Sequence, residues 1–263
     1  MSSIIEGYNY DIFISYRQKD NKYDGWVTEF VDNLNKELEA TFKEDVSVYF
    51  DINPHDGLLE THDVDASLKD KLKCLVFIPI ISRTYCDPKS FAWEHEFKVF
   101  FEEASKDQFG LKVKLPNGNV ASRVLPIRIY DLDPADINLC ESVLGGVLRG
   151  VEFIYKSAGV NRPLRSKEEK PQENINHTLY RDQINKVANS IKEIFQGLSS
   201  EPVKGLDVKN YIKESYKEVD KEGIKGIKIK PSKAVRVGFL IPFGIVALLI
   251  LTGIIIYPKI LST

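Results

Sequence analysis

Short runs of β-branched and aromatic residues alternate along the chain with segments whose apolar residues recur every third or fourth position. Residues 10–16 (YDIFISY), 46–50 (VSVYF), 75–81 (LVFIPII), 124–130 (VLPIRIY) and 151–155 (VEFIY) have the composition of strands buried on both faces. Between the first two, Trp26, Phe30, Leu34 and Leu38 recur every fourth residue with Val27 and Val31 beside them, which predicts one apolar stripe on a crossover helix. Residues 64–72, 92–104 and a segment near 136–148 supply further crossovers. A last helix over 177–198 carries Leu179, Ile184, Val187, Ile191 and Phe195 at helical spacing. Such alternation favours a parallel sheet with right-handed crossovers and helices on both faces: an α/β, flavodoxin-like doubly wound sheet of five strands. Ligands of such sheets sit in the crevice at the carboxyl ends of the strands, so Arg17, Asp51, Ser82 and Asp131, which follow strands, are the first candidates.

Four stretches fall outside this scheme. Residues 108–122 contain LKVKL, the turn Pro116-Asn117-Gly118-Asn119 and then Val120, which predicts a short hairpin decorating the sheet. Residues 157–176 are polar and contain proline, hence a loop, and 199–236 form a Lys-rich linker. Residues 237–257 (VGFLIPFGIVALLILTGIIIY) carry no charge over 21 positions, long enough as a helix to span the hydrocarbon core of a membrane. Lys225, Lys228, Lys230, Lys233 and Arg236 precede that span and only Lys259 follows it, so the large amino-terminal domain is expected to face the cytoplasm, with a single-pass anchor and a short tail at 258–263.

Charge and cysteine content narrow the classes of function. A net charge of −2 provides no basic field to gather phosphates, which argues against nucleic-acid binding. Cys74, Cys86 and Cys140 are odd in number and lack any CxxC pair, as expected of a reducing compartment with neither disulfide framework nor zinc site. His55, His62, His95 and His177 show no ligand spacing, so no metal is expected.

YDIFISYR at residues 10–17, Asp51 at the end of the second strand, and Ile81-Ser82 followed by Tyr85 and by residues 90–96 (SFAWEHE) together resemble the Toll/interleukin receptor (TIR) domain family. In that family the third strand ends in Ser and the next helix opens with Ser-x-Trp-Cys-x-x-Glu. Here Ser90 and Glu96 keep that spacing, while Ala92 and Trp93 stand in the Trp-Cys places. Family members commonly carry an Arg and a Pro-Gly pair after the second strand, whereas Pro54 and Gly57 are separated in this chain. The resemblance covers about residues 8–198 and implies two functions. Many TIR domains hydrolyse or cyclise NAD+ by cleaving the bond between nicotinamide and ribose; others only assemble through homotypic TIR contacts. It implies NAD+ as a substrate rather than a bound cofactor, self-association as the activating event, and a setting in signalling or defence.

Cleaving that bond develops positive charge on the ribose, which a nearby carboxylate stabilises. Helical geometry does not choose the carboxylate: Glu94 and Glu96 flank the stripe of Trp93, Phe97, Phe100, Phe101 and Ala104 on opposite sides, about 200° apart. The family motif selects Glu96. For the other candidates two readings stay open. Arg17 pairs with a pyrophosphate or with a surface acid. Ser15 lines the cleft or bonds a neighbouring loop, and Asp51 and Ser82 hold ribose hydroxyls or cap turns. Trp93 stacks on a base or belongs to the core, and Cys86 reads as a small semi-buried thiol.

Overall fold

A computed structural model describes residues 3–51, 64–166 and 173–200. The predicted membrane span, most of the Lys-rich linker, and Pro54 and Gly57 lie outside the described residues. Among the described residues no helix is long and apolar enough to cross a membrane.

The elements run β1 (Tyr10–Ser15), α1 (Gln18–Lys22), α2 (Trp26–Thr41), β2 (Val48–Phe50), α3 (Val64–Lys71), β3 (Cys74–Ile81), a π-helical turn (Ala92–Phe97) continuing into α4 (Lys98–Ala104), β4 (Lys112–Lys114), β5 (Val120–Ser122), β6 (Ile127–Arg128), α5 (Pro134–Leu144), β7 (Val151–Glu152), β8 (Ile154–Ser157), β9 (Val160–Pro163) and α6 (Glu173–Ser199). Five strands form one parallel sheet in the order β2-β1-β3-β6-β7, the flavodoxin-like order.

Strand alternation divides the interior into two layers. From β1 and β3, Ile12, Ile14, Val76, Ile78 and Ile80 face α2 and α6, where Trp26, Phe30, Phe153 and Tyr180 meet edge to face or stacked. Phe13, Phe77 and Ile81 face the other way, onto Tyr85, Trp93, Phe97, Phe100 and Cys140. Helix α2 starts from Gly25, whose φ of +68° only glycine adopts without strain, and the Asp24 carboxylate accepts from the Trp26 N–H at 3.1 Å. Asp11, fully buried on β1, accepts from Ser3 Oγ, the Ile4 N–H, the Ser47 N–H and Ser47 Oγ at 2.7–2.8 Å, and so ties the amino-terminal segment to the strand before β2.

The structure corrects several sequence expectations. Residues 151–155 are not one strand: the ladder ends at Glu152, and Ile154–Ser157 leaves to pair with Val160–Pro163 in a hairpin turned at Gly159, within the stretch expected to be loop. Residues 124–130 pair continuously only at Ile127–Arg128, with a single bridge from Val124 to Phe77, because Pro126 has no N–H to give to the ladder. The β4–β5 hairpin is not decoration. Val113 enters the core, and Gly197 of α6 passes so close that an added Cβ would lie 2.6 Å from Val113 Cγ1. Arg123, fully buried just after the hairpin, donates to the carbonyls of Leu75, Cys74 and Gly110 and to Asp107 Oδ2 at 2.6–2.9 Å, while Tyr8, Phe100 and Phe109 surround its guanidinium.

Candidate active site

At the carboxyl end of the sheet, β1 and the turn after β3 present hydroxyls to the π-helical turn. Ser15 Oγ donates to Glu96 Oε2 at 2.6 Å and lies 2.8 Å from the Tyr85 hydroxyl. Ser15 and Tyr85 are fully buried, whereas Glu96 keeps part of its surface open. Glu94 is exposed, so placement separates the two glutamates that helical spacing left equivalent.

The turn carrying Glu96 is wider than an α-helix: the Lys98 N–H bonds the Trp93 carbonyl, five residues back. It is anchored by Ser90 Oγ accepting from the Trp93 N–H at 3.2 Å and by the burial of Trp93 and Phe97. An i, i+4 apolar pair looks the same in sequence whether the turn is α or π, which is why spacing alone predicts a plain helix here.

Burial raises the Glu96 carboxyl from its ordinary 4.5 to about 7; the Ser15 bond opposes the rise and the nearby Asp51 adds to it. Tyr16, whose hydroxyl donates to the Asp51 carbonyl at 2.6 Å, is pushed up to about 12 by burial and by Asp51 and Glu96. Tyr85 is held well above its ordinary value, first by burial and then by Glu96. Ser15 and Glu96 are thus hydrogen-bonded and Asp51 lies near enough to act on the Glu96 carboxyl; Tyr16 and Tyr85, which sequence reasoning did not single out as site residues, adjoin them.

Ser82 belongs to an adjoining network. Its Oγ accepts from the Tyr85 N–H at 3.0 Å and donates to Asp20, which also accepts from Thr84 Oγ1 at 2.9 Å. Burial raises Asp20, and the bonds from Ser82 and Thr84 and the charge of Arg17 oppose the rise. Of its two readings, Ser82 follows the capping one. Arg17 lies 3.9 Å from Asp87, and its Nε has no partner among the described residues. Trp93 is enclosed by Tyr85 and Phe97 edge to face, so it is core and offers no open face for stacking. Cys86 Sγ lies 3.6 Å from Cys140 Sγ, and that contact, followed by burial, pushes the Cys86 thiol far up, as befits an inert thiol. A cavity of about 700 Å³ opens at the opposite end of the strands, beside Tyr8, Cys74 and Arg123, away from Glu96.

Together the fold and this cluster define an α/β domain of flavodoxin-like strand order with a raised carboxyl at the carboxyl ends of its strands. No family model matches the chain, and no curated protein matches it significantly. Among solved structures, the chain is similar to the TIR domains in a structure described as the activated Roq1 resistosome directly recognizing the pathogen effector XopQ. The two share 15% identity over 80% of this chain and 99% of that one, with a TM-score of 0.33. At that overlap the likeness carries no weight of its own, and the strand order of the chain itself defines the fold.

Proposed function

We propose that this chain is a membrane-anchored TIR-domain protein that cleaves NAD+ at the nicotinamide–ribose bond, with Glu96 as its catalytic carboxylate and self-association as its activating step. The observation that carries the reading is the Ser15–Glu96 pair: a carboxyl at the strand ends with Oε2 bonded and raised to about 7. As the bond to nicotinamide breaks, positive charge grows on the ribose ring, and an ionised Glu96 stabilises it and holds a ribose hydroxyl. In this reading the guanidinium of Arg17, whose Nε has no partner among the described residues, pairs with the pyrophosphate. The hydrophobic segment over 237–257 holds the domain at the membrane and concentrates it for assembly.

Nicotinamide release by the full chain in lipid vesicles, sparse against clustered, tests the reading. Turnover is expected on clustering, and it should fall about tenfold per pH unit below about 7 as Glu96 takes up a proton. A scaffold that only assembles is the second reading, favoured by the enclosure of Trp93, which leaves no aromatic at that position for a substrate. Stable assembly without nicotinamide release would decide for it.

A further inference from the structure

Three groups, Tyr85 Oη, Ser15 Oγ and Glu96 Oε2, stand in a row at 2.8 and 2.6 Å, and only two hydroxyl protons serve them. Both hydroxyl residues are fully buried, so an orphaned proton is costly. If Ser15 donated to Tyr85, the phenol proton would lack an acceptor among the described residues, and Glu96 Oε2 would face a serine lone pair. If Tyr85 donates to Ser15, both protons are used and the serine proton goes to the carboxylate. The Tyr85 ring is fixed for this by Trp93 and Phe97 edge to face and by Ser82 on its backbone N–H.

We propose that Tyr85 is a positioning residue: its phenol proton, by occupying Ser15 Oγ, compels the serine proton toward Glu96 Oε2 and reserves Oε1 for the substrate. This rests on Glu96 being the working carboxylate of the proposed reaction. Any proton Glu96 acquires then resides on Oε1, because Oε2 is already an acceptor. The other groups acting on the carboxyl are Asp51 at the end of β2 and Tyr16 after β1; on its own helix, Glu94 and His95 are exposed. Hydrogen bonds in such a chain strengthen one another, so the phenol makes Ser15 a better donor.

The test is a double-mutant cycle in the full chain, read by carbon-13 NMR titration of Glu96, assigned by loss of its signal in Glu96→Gln. Ser15→Ala is expected to raise the Glu96 midpoint by about one pH unit, the loss of one charge-assisted bond. Tyr85→Phe, which keeps the ring, should raise it by about 0.2–0.6 of a pH unit. In the Ser15→Ala background Tyr85→Phe should change nothing, since its route to Glu96 is gone. A Tyr85→Phe effect equal in both backgrounds, or absent from both, overturns the proposal. The titration needs no turnover. If the parent chain releases no nicotinamide while the cycle behaves as stated, the NAD+ reading fails and only the proton order that Tyr85 sets on Ser15 and Glu96 stands.

Discussion

Glu96→Gln is expected to lose nicotinamide release by about a thousandfold and, at pH 8, to be more stable than the parent chain. The loss follows from removing a preorganised charge at the developing cation, an effect of about 10²–10³ or more where such groups have been deleted. Glu94→Gln, at an exposed position one helical flank away, should retain parental turnover. The stability gain has a definite sign. Folding raises the Glu96 carboxyl from 4.5 to about 7, so the fold favours the neutral form. The contribution is complete below pH 4.5 and is lost as the pH rises through about 7, at a cost approaching about 3 kcal/mol by pH 8. Glutamine stays neutral throughout, so the variant should match the parent near pH 4 and melt about 5–10 °C higher at pH 8. Thermal unfolding at the two pH values checks this; equal melting at pH 8 would mean that the charged carboxylate is well solvated in the folded chain.

Arg123→Met should carry the largest loss of stability, about 3–5 kcal/mol. Methionine fills much of the volume but leaves three backbone carbonyls without the guanidinium that satisfies them and the Asp107 charge without its cation, Oδ2 keeping only the Tyr8 hydroxyl. Adding Asp107→Asn should recover part of the loss, because it removes the stranded charge, and an asparagine side-chain oxygen can still accept from the Phe109 and Gly110 N–H groups that Asp107 Oδ1 now holds. Denaturant midpoints of the single and double variants check both statements. Recovery of nothing in the double variant would place the effect in packing against Tyr8, Phe100 and Phe109 rather than in the charge.

The five-stranded sheet was legible because each strand writes its two faces into the sequence: Ile12 and Ile14 belong to one layer and Phe13 to the other. Helix α2 was legible for the same reason, through its fourfold apolar recurrence. The split after Glu152 was not, since VEFIYKS alternates without a break and only the hydrogen bonds show where one ladder stops and the hairpin begins. Nor were the buried polar hubs. Asp11 finds Ser47 36 residues away and Arg123 finds Asp107 16 residues away, and no local pattern announces such pairings. At the site, Glu96 was named through the family motif and Ser15 through its place at the end of the first strand, while Tyr85 stood in the sequence as a marker and acquired a role only when its hydroxyl was seen against Ser15.

At exposed His95, inside the π turn, the presence of a residue matters more than the chemistry of its side chain. Alanine at exposed His95 leaves the register alone. Deleting His95 would let the segment relax to α spacing with Trp93 and Phe97, now three residues apart instead of four, still on the buried side, but would leave Glu96 about 200° from Trp93, facing solvent. A position tolerant of substitution is thus intolerant of deletion, and a gap there would empty the crevice without unfolding the domain.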